Sequence, residues 1–234
     1  MRTLRSWGGG LLALGVVAIA GAGQALAAEP VVGLPCEGCE AIFVGMPAPA
    51  SLSWDARLTT KGLEGEPLIL EGTVKDRNDR PAAGIVVYAY QTNADGTYPP
   101  DDRTAKSAAG PHGALRGWAK TDSKGRYRFT TIRPGGDPDS GDPQHIHMHI
   151  LEPGRCTYFI DGVHFDDDPR LTSVQRLRMM SSRGGRCVVR PTKDAQGRWR
   201  VQRDIKLGQG IPGYEQCAES STRKSPEKEK QGAQ

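Results

Sequence analysis

Short stretches in the middle of the chain alternate between apolar and polar residues, which is the pattern of half-buried β-strands. Four such stretches are clear, namely residues 68–74, 85–91, 118–132 and 158–165. Residues 118–132 are expected to form a hairpin, because a polar turn containing Gly divides them. No long stretch has the apolar periodicity of an amphipathic helix. The pattern therefore predicts an all-β fold, an antiparallel β-sandwich with long loops and little helix.

Two further elements are predicted toward the C-terminus. A short helix is expected within residues 168–178, with the preceding aspartates at its positive end. Residues 187–190 and 199–205 are expected to pair as a closing hairpin around a turn at residues 194–197.

The chain divides into four segments. Residues 1–28 have a basic start, an apolar run too short to span a bilayer comfortably and an Ala-Leu-Ala cleavage pattern. Together these features predict a signal peptide and an exported, periplasmic or extracellular protein. An uncleaved membrane anchor is the alternative. Residues 29–66 resemble an irregular arm rich in Pro and Gly, residues 67–217 form the sandwich domain, and residues 218–234 are a polar tail predicted to be disordered.

The net charge at pH 7 is +4, but the basic residues form no stripe interleaved with aromatic residues, which argues against binding to nucleic acid. Export favours disulfides for Cys36, Cys39, Cys156, Cys187 and Cys217. A zinc ribbon is disfavoured because only the first two form a close pair. The connectivity stays open, and the odd cysteine either remains free or pairs between chains, which permits a homodimer. A redox role for the C-x-x-C pair is disfavoured because no helix pattern follows it.

The most unusual stretch is HIHMH. On a strand, His145, His147 and His149 share one face, because side chains alternate between the two sides. Three imidazoles on one face are costly without partners and are well suited to binding a metal. The alternative is a histidine pair that hydrogen-bonds within a polar groove. Two long loops, residues 92–117 and 133–144, flank this strand and are the expected carriers of a functional site.

The other histidines are weaker candidates. His149 lies further along the strand than the first pair and is less expected to bind metal. His164 sits between apolar residues and is expected to be structural, and His112 is expected to be a loop histidine.

Four pieces of sequence occur in a specific order, and they are LEGTVKDRNDRPAAGIVVYAYQTNADGTY, RGWAKTDSKGRYRFTTIRPG, HIH and YFIDGVHFDDDP. In this order, residues 68–169 resemble the intradiol ring-cleavage dioxygenases, the family of protocatechuate and catechol dioxygenases. The CEGCEAIF piece of the arm is similar to that of secreted, single-chain bacterial members. The resemblance covers about half of the chain.

The resemblance implies a non-haem Fe(III) held by two tyrosinates and two histidines. Tyr98 matches the first tyrosine, and His145 and His147 match the histidine pair. The implied reaction cleaves a catechol-type ring between its two hydroxyl carbons with O2, and it yields a muconate-type diacid. Arg116 matches an arginine near the site of the family and is a candidate for catalysis and substrate binding, with a loop salt bridge as the alternative.

Two positions depart from the family pattern. Asp137 replaces the second tyrosine, and it is either a metal ligand that also accepts a substrate proton or a residue of a turn. Asp142 replaces a substrate-binding arginine. Tyr127 and Tyr158 are less favoured sources of a second phenolate. These departures support a second hypothesis, a non-catalytic or altered-metal member that binds an aromatic ligand or a partner.

Overall fold

The computed structural model describes residues 30–36, 38–58 and 62–220, so the predicted signal peptide, residues 1–28, lies outside the described part. Two β-sheets pack face to face, which confirms the predicted all-β sandwich with little helix. The strands are β1 (Asp55–Arg57), β2 (Pro67–Lys75), β3 (Val86–Gln91), β4 (Arg116–Lys120), β5 (Arg126–Ile132), β6 (His145–Glu152), β7 (Cys156–Phe165), β8 (Val188–Val189), β9 (Thr192–Lys193), β10 (Trp199–Gln202) and β11 (Ile205–Lys206). The α-helices are α1 (Ser173–Arg178) and α2 (Glu215–Ser220), and short 3-10 turns span Cys39–Phe43, Pro49–Ser51, Gly110–His112 and Met179–Ser181.

One sheet has the strand order β1-β5-β2-β10-β9, with β11 also paired to β2, and the other has the order β4-β3-β6-β7-β8. The long ladders between β2 and β5, β3 and β6, and β6 and β7 are antiparallel. Parallel pairing involves the short strands β1, β8, β10 and β11. No helix in the described residues is long and apolar enough to cross a bilayer.

The main core lies between the two sheets. Ile146, Met148 and Ile150 of β6 point into it and are essentially fully buried, together with Leu70 of β2 and Phe129 of β5. Because side chains alternate along a strand, this arrangement leaves the histidines of β6 on the outer face of their sheet. The hydrophobic pattern of β6 therefore decides where the histidines lie.

The arm covers this outer face and forms a second apolar cluster. Ile42 is fully buried there, against Val86, Tyr88 and Tyr90 of β3. The indole N–H of Trp118 donates to the carbonyl of Ile42 at 2.7 Å, so β4 anchors the arm directly. Residues that the sequence places far before the sandwich thus close one side of the histidine-bearing face.

Three predicted elements differ from the structure. Residues 118–132 are not a hairpin, because β4 pairs with β3 while β5 pairs with β2, and the turn between them crosses from one sheet to the other. The helix starts at Ser173 because Thr172 and Gln175 form a capping box, whereas Asp168 accepts a hydrogen bond from the N–H of Gln144. The closing hairpin joins β9 to β10, while β8 pairs with β7.

Three turns have the same hydrogen-bond pattern. In each, an aspartate accepts hydrogen bonds from two backbone N–H groups and forms a salt bridge with an arginine four residues later. The residue pairs are Asp76 with Arg80, Asp122 with Arg126, and Asp194 with Arg198. The carboxylate satisfies amides that no strand would otherwise engage, which fixes the chain reversal at each site.

Two disulfides join Cys36 to Cys39 and Cys156 to Cys217, and Cys187 is a buried free thiol. Its full burial makes Cys187 unsuited to a disulfide between chains. Helix α2 extends into residues 218–220, the first three of the segment expected to be disordered. The rest of that segment, residues 221–234, lies outside the described residues.

Candidate metal centre and substrate cavity

Two imidazoles converge at the start of β6. The Nε2 atoms of His145 and His147 lie 2.8 Å apart, and Nδ1 of His145 lies 2.8 Å from the carbonyl oxygen of Pro143. A carbonyl only accepts hydrogen bonds, so Nδ1 of His145 carries the proton and its Nε2 presents a lone pair. Two ring nitrogens at this separation share either a proton or a cation. The hydrogen bond from Nδ1 of His145 to the carbonyl of Pro143 fixes the ring, as is usual for histidines that bind metal through their other nitrogen.

Burial favours the neutral form of His147 and His149. Burial, followed by the neighbouring His145 and His149, lowers the pKa of His147 well below its usual value. Burial and then the nearby His112 lower the pKa of His149 to about 3. Neutral imidazoles are the form that binds metal ions.

A β-bulge lies directly opposite His147. Ile146 pairs with Val163 and Met148 pairs with Ile160, so the single residue between them on β6 faces two residues of β7. Gly162 sits in the bulge, where a Cβ atom would lie 2.7 Å from the carbonyl oxygen of Ile146. Bulges commonly redirect side chains beside active sites, and this one acts on the strand pair that carries both imidazoles.

Tyr98 is brought to the pair by two loops that pack against each other. The N–H of Gly135 donates to the carbonyl of Asn93 at 2.7 Å. A Cβ atom on Gly96, whose φ is +85°, would lie 2.1 Å from the carbonyl oxygen of Gly136, so this contact requires glycine. The Tyr98 ring lies 6.4 Å from the His147 ring, centroid to centroid.

The electrostatic surroundings of Tyr98 include both aspartates that depart from the family pattern. Burial, then the charges of Asp137 and Asp142, raise the pKa of Tyr98 to about 12. The hydroxyl is therefore neutral without a cation beside it. A bound metal ion would reverse this balance, because a cation favours the phenolate.

Asp137 caps its own turn. Its Oδ1 accepts hydrogen bonds from the N–H groups of Asp139 at 2.8 Å and Ser140 at 3.0 Å. These two amides, and more weakly His145, lower the pKa of Asp137. In the described residues, the only three His, Cys, Asp or Glu side chains with ligand atoms all within 4.8 Å are Glu152, Cys156 and Cys217. The carboxylate of Asp137 is therefore near the pair but more than 4.8 Å from at least one of its nitrogens.

That other three-residue group is not a metal site in this structure. Its two cysteines form a disulfide, and the buried Glu152 accepts hydrogen bonds from the hydroxyls of Tyr158 and Tyr214 at 2.7 Å each. The hydroxyl of Tyr127 donates to the carbonyl of Arg203 at 2.6 Å. Neither Tyr127 nor Tyr158 therefore supplies a phenolate to the histidine pair.

A cavity of about 800 Å³ opens beside His147 and Tyr98. Tyr90 forms one wall, stacked between His112 at 3.6 Å and His147 at 4.4 Å. His112, expected to be an ordinary loop histidine, is buried, and its Nδ1 lies 2.9 Å from the Tyr88 hydroxyl. The other lining residues are Pro35, Gly38, Glu40, Ser107, Ala108, Pro111, Met148, His149, Phe159 and Ile160. The flat, aromatic walls suit a planar aromatic ligand.

Arg116 and Asp142 do not line this cavity. Arg116 donates to the carbonyl of Val44 at 3.0 Å and to the Tyr88 hydroxyl at 3.5 Å, so it ties the arm to the sheet. Asp142 is exposed and accepts a hydrogen bond from the Ser140 hydroxyl. It lines a neighbouring space of about 330 Å³ that also has His145 and His147 in its walls.

No single sequence pattern indicates the roles of Tyr90 and His112. The pairing of β3 with β6, in which Tyr90 lies opposite His147, creates the first contact. The alternating aromatic residues of β3 are visible in the sequence, but the pairing of β3 with β6 is not predictable from it. His112 arrives from a loop whose path only the structure shows.

Comparison with known proteins identifies the family of the chain. A family model described as Dioxygenase matches residues 49–197, more than half of the chain. Curated relatives include the protocatechuate 3,4-dioxygenase beta chain of Burkholderia cepacia, 30% identical over 112 residues that cover 46% of this chain and 48% of the relative. The chain belongs to the intradiol ring-cleavage dioxygenase family.

Other members of the family give similar matches. Catechol 1,2-dioxygenase 1 of Acinetobacter lwoffii is 39% identical over 101 residues, which cover 42% of this chain and 30% of that protein. Hydroxyquinol 1,2-dioxygenase of Nocardioides simplex is 30% identical over 169 residues, covering 62% and 56%. The chain thus spans about half the length, or less, of these curated relatives.

A solved structure supports the fold. The dioxygenase domain of a dioxygenase carbohydrate-binding protein fusion from Streptomyces sp. SirexAA-E aligns with a TM-score of 0.51 and 24% identity, over 64% of this chain and 85% of that chain. At this identity the likeness establishes the sandwich architecture of this intradiol dioxygenase family member.

Proposed function

We propose that this protein cleaves a catechol-type aromatic ring between its two hydroxyl carbons with O2, and that it uses a non-haem Fe(III) to do so. The observation that carries the proposal is the convergence of the His145 and His147 Nε2 atoms, 2.8 Å apart, at the edge of an aromatic cavity. Family membership supplies the general reaction.

The residues present fit a ferric ion. Nδ1 of His145 bonds to a carbonyl, so its Nε2 is free to bind metal. Tyr98, whose ring lies 6.4 Å from that of His147, would supply a hard phenolate to a bound cation, and phenolate favours Fe(III) over Fe(II). We assign the metal to Tyr98, His145 and His147, with Asp137 as a nearby negative charge.

The bound ferric ion would supply the Lewis acidity that activates a catechol for reaction with O2. The protein's part is to bind and orient the ring. Tyr90 and Phe159 form aromatic walls, and Gly38 and Glu40 of the arm line the same cavity. Holding the ring edge-on to the imidazole pair presents both hydroxyls to the metal side and limits the entry of water.

A second candidate function rests on Asp137. Its Oδ1 is engaged in a turn, so its carboxylate does not complete a ligand set with His145 and His147. This observation favours a member of the family with altered metal chemistry, or one that binds an aromatic ligand without turning it over. In such a member, zinc or ferrous iron would be the alternative to ferric iron.

Metal content and an absorption spectrum on purified protein separate these functions. Bound Fe(III) with a Tyr98 ligand is expected to give a visible charge-transfer band and a red-brown colour. Tyr98→Phe should remove the band, whereas Tyr127→Phe, whose hydroxyl bonds to a carbonyl far from the site, should keep it. Oxygen uptake with catechol and formation of a muconate product would support turnover. Bound iron without oxygen uptake across a panel of catechols would refute it.

We also propose that the protein is exported. The N-terminal pattern and two disulfides support this location. Recovery of the protein from the periplasm or medium, with an N-terminus near Ala28 by mass spectrometry, is the expected result. Intact protein confined to the membrane would contradict it and favour an uncleaved anchor.

A further inference from the structure

One buried side chain of the cavity has no role in the proposed metal centre. His149 is only 3% exposed, it lines the cavity beside His147, and its Nδ1 is buried without a hydrogen-bond partner. Within the described part of the chain, neither of its ring nitrogens makes a hydrogen bond. Buried polar groups are almost always paired, so an exception of this kind calls for an explanation.

The neighbours of His149 do not provide a partner. The rings of Tyr88, Tyr90 and His112 meet it edge to face, with centroids 5.8 to 6.0 Å away. The Tyr88 hydroxyl is already paired with Nδ1 of His112. The imidazole is thus fixed by aromatic packing while its hydrogen-bonding capacity remains unused, which suits a group that meets a ligand.

The position of His149 suits contact with the far side of a bound ring. It follows His147 by two residues on β6, so both side chains face the cavity about 6.8 Å apart along the strand. A single aromatic ring held at the His147 end therefore extends its opposite substituent toward His149.

The charge of the cavity limits what that substituent is. No Lys or Arg is among the described lining residues, and the one charged lining residue is Glu40. A carboxylate on the ring would be buried without a cation and near a carboxylate, which is unfavourable. An uncharged hydroxyl would instead both donate to and accept from an imidazole.

We propose that His149 determines specificity, by hydrogen-bonding a third, uncharged hydroxyl on the catechol-type ring opposite the two that face the metal centre. The inference deepens the proposed function and rests on it for the orientation of the ring. It predicts a preference for 1,2,4-trihydroxybenzene over catechol, and for both over 3,4-dihydroxybenzoate.

Calorimetry under anaerobic conditions tests the proposal with these three compounds on iron-loaded protein and on metal-free protein. His149→Phe keeps the ring shape and removes both nitrogens, while His149→Gln keeps hydrogen bonding. The Phe variant is expected to bind 1,2,4-trihydroxybenzene about five- to tenfold more weakly, the net worth of one hydrogen bond. Its affinity for catechol should stay within about twofold, and the Gln variant should retain most of the preference.

Thermal unfolding provides a readout that does not depend on the metal. Replacing an unpaired buried imidazole by Phe is expected to raise the melting temperature or leave it unchanged. A clear fall would show that His149 has a structural partner and would overturn the inference. Equal weakening for catechol and trihydroxybenzene in the Phe variant, or tighter binding of the carboxylate compound by the parent protein, would also overturn it.

The two proposals fail in distinguishable ways. If iron is absent or oxygen uptake fails, but the trihydroxybenzene preference persists and depends on His149, the proposed reaction is wrong and the inference stands. If catechol is cleaved but the preference is absent, the proposed function stands and the inference fails.

Discussion

The disulfide between Cys156 and Cys217 is expected to carry a large share of the stability of the fold. It joins the start of β7 to α2 across a sequence separation of 61, and both cysteines are fully buried. The cross-link removes the entropy that an open segment of this length has in the unfolded chain. Loop-closure arithmetic for a separation of 61 gives about 4 kcal/mol of unfolding free energy at 25 °C.

The other disulfide serves as a matched control. Cys36 and Cys39 are separated by only 3 residues, for which the same arithmetic gives about 2 kcal/mol. Reducing agent removes both bonds without changing side-chain volume. The paired variant Cys36→Ala with Cys39→Ala therefore isolates the long cross-link, because in that background reductant opens only the bond between Cys156 and Cys217.

Urea unfolding followed by tryptophan fluorescence measures the difference. In the control background, reductant should lower the free energy of unfolding by about 4 kcal/mol. It should also steepen the denaturant slope, because the unlinked unfolded chain is less compact and exposes more surface. The full parent protein should lose about 6 kcal/mol, because reductant there also opens the bond between Cys36 and Cys39. A loss below about 1 kcal/mol in the control background would refute the argument, since it would mean that burial alone holds the C-terminal segment.

Three further changes test other parts of the structure. Gly72→Ala would place a Cβ 1.9 Å from the Arg203 carbonyl oxygen, so it should lower the free energy of unfolding in urea by about 3 kcal/mol. The control Gly84→Ala has open space around the new Cβ and a φ of +78°, and it should cost only about 1 kcal/mol. Burial works against the charged form of Asp122, but hydrogen bonds from Arg126 and Lys124 outweigh it and lower the pKa of this carboxyl group. The parent should therefore be more stable than Asp122→Asn at pH 7, and this advantage should vanish as the pH falls below 4. Arg116→Gln should speed proteolysis within the arm and weaken all ring ligands by a similar factor, whereas a loss confined to one ring class would show direct contact.

Much of the fold followed from local sequence pattern. Residues 68–74 and 158–165 lie within β2 and β7, because short apolar runs with β-branched and aromatic residues between turn signals favour strands. The supposed hairpin of residues 118–132 failed for a reason that local pattern does not contain. A tight turn reverses the chain whether or not its flanking strands pair, and here each strand finds a longer neighbour in a different sheet.

The candidate site divides in the same way. The H-x-H spacing on a strand placed His145 and His147 side by side, and the ordered family pieces pointed to Tyr98. The position of Arg116 away from the cavity depends on the path of the arm, which packs from about seventy residues earlier in the chain. The unused nitrogens of His149 depend on the whole set of its neighbours, so no sequence pattern could reveal them.

Asp137 is where the structure bears most directly on the chemistry. As a turn residue it needs only an oxygen acceptor for the N–H groups of Asp139 and Ser140, and asparagine supplies the same oxygen without the charge. As a metal ligand it needs the carboxylate. Asp137→Asn therefore separates the two roles, and Asp137→Ala, which lacks the acceptor, measures the cost of the turn.

Because its Oδ1 is committed to the turn and its carboxylate does not converge with both imidazoles, we expect Asp137→Asn to retain iron content and colour. Asp137→Ala should lower the free energy of unfolding, because the N–H groups of Asp139 and Ser140 lose their acceptor. Titration of iron into the metal-free parent and both variants, followed by absorption, measures this. A fall of tenfold or more in iron affinity for the Asn variant, at unchanged stability, would make Asp137 a ligand and would replace the three-ligand site with a carboxylate-completed one.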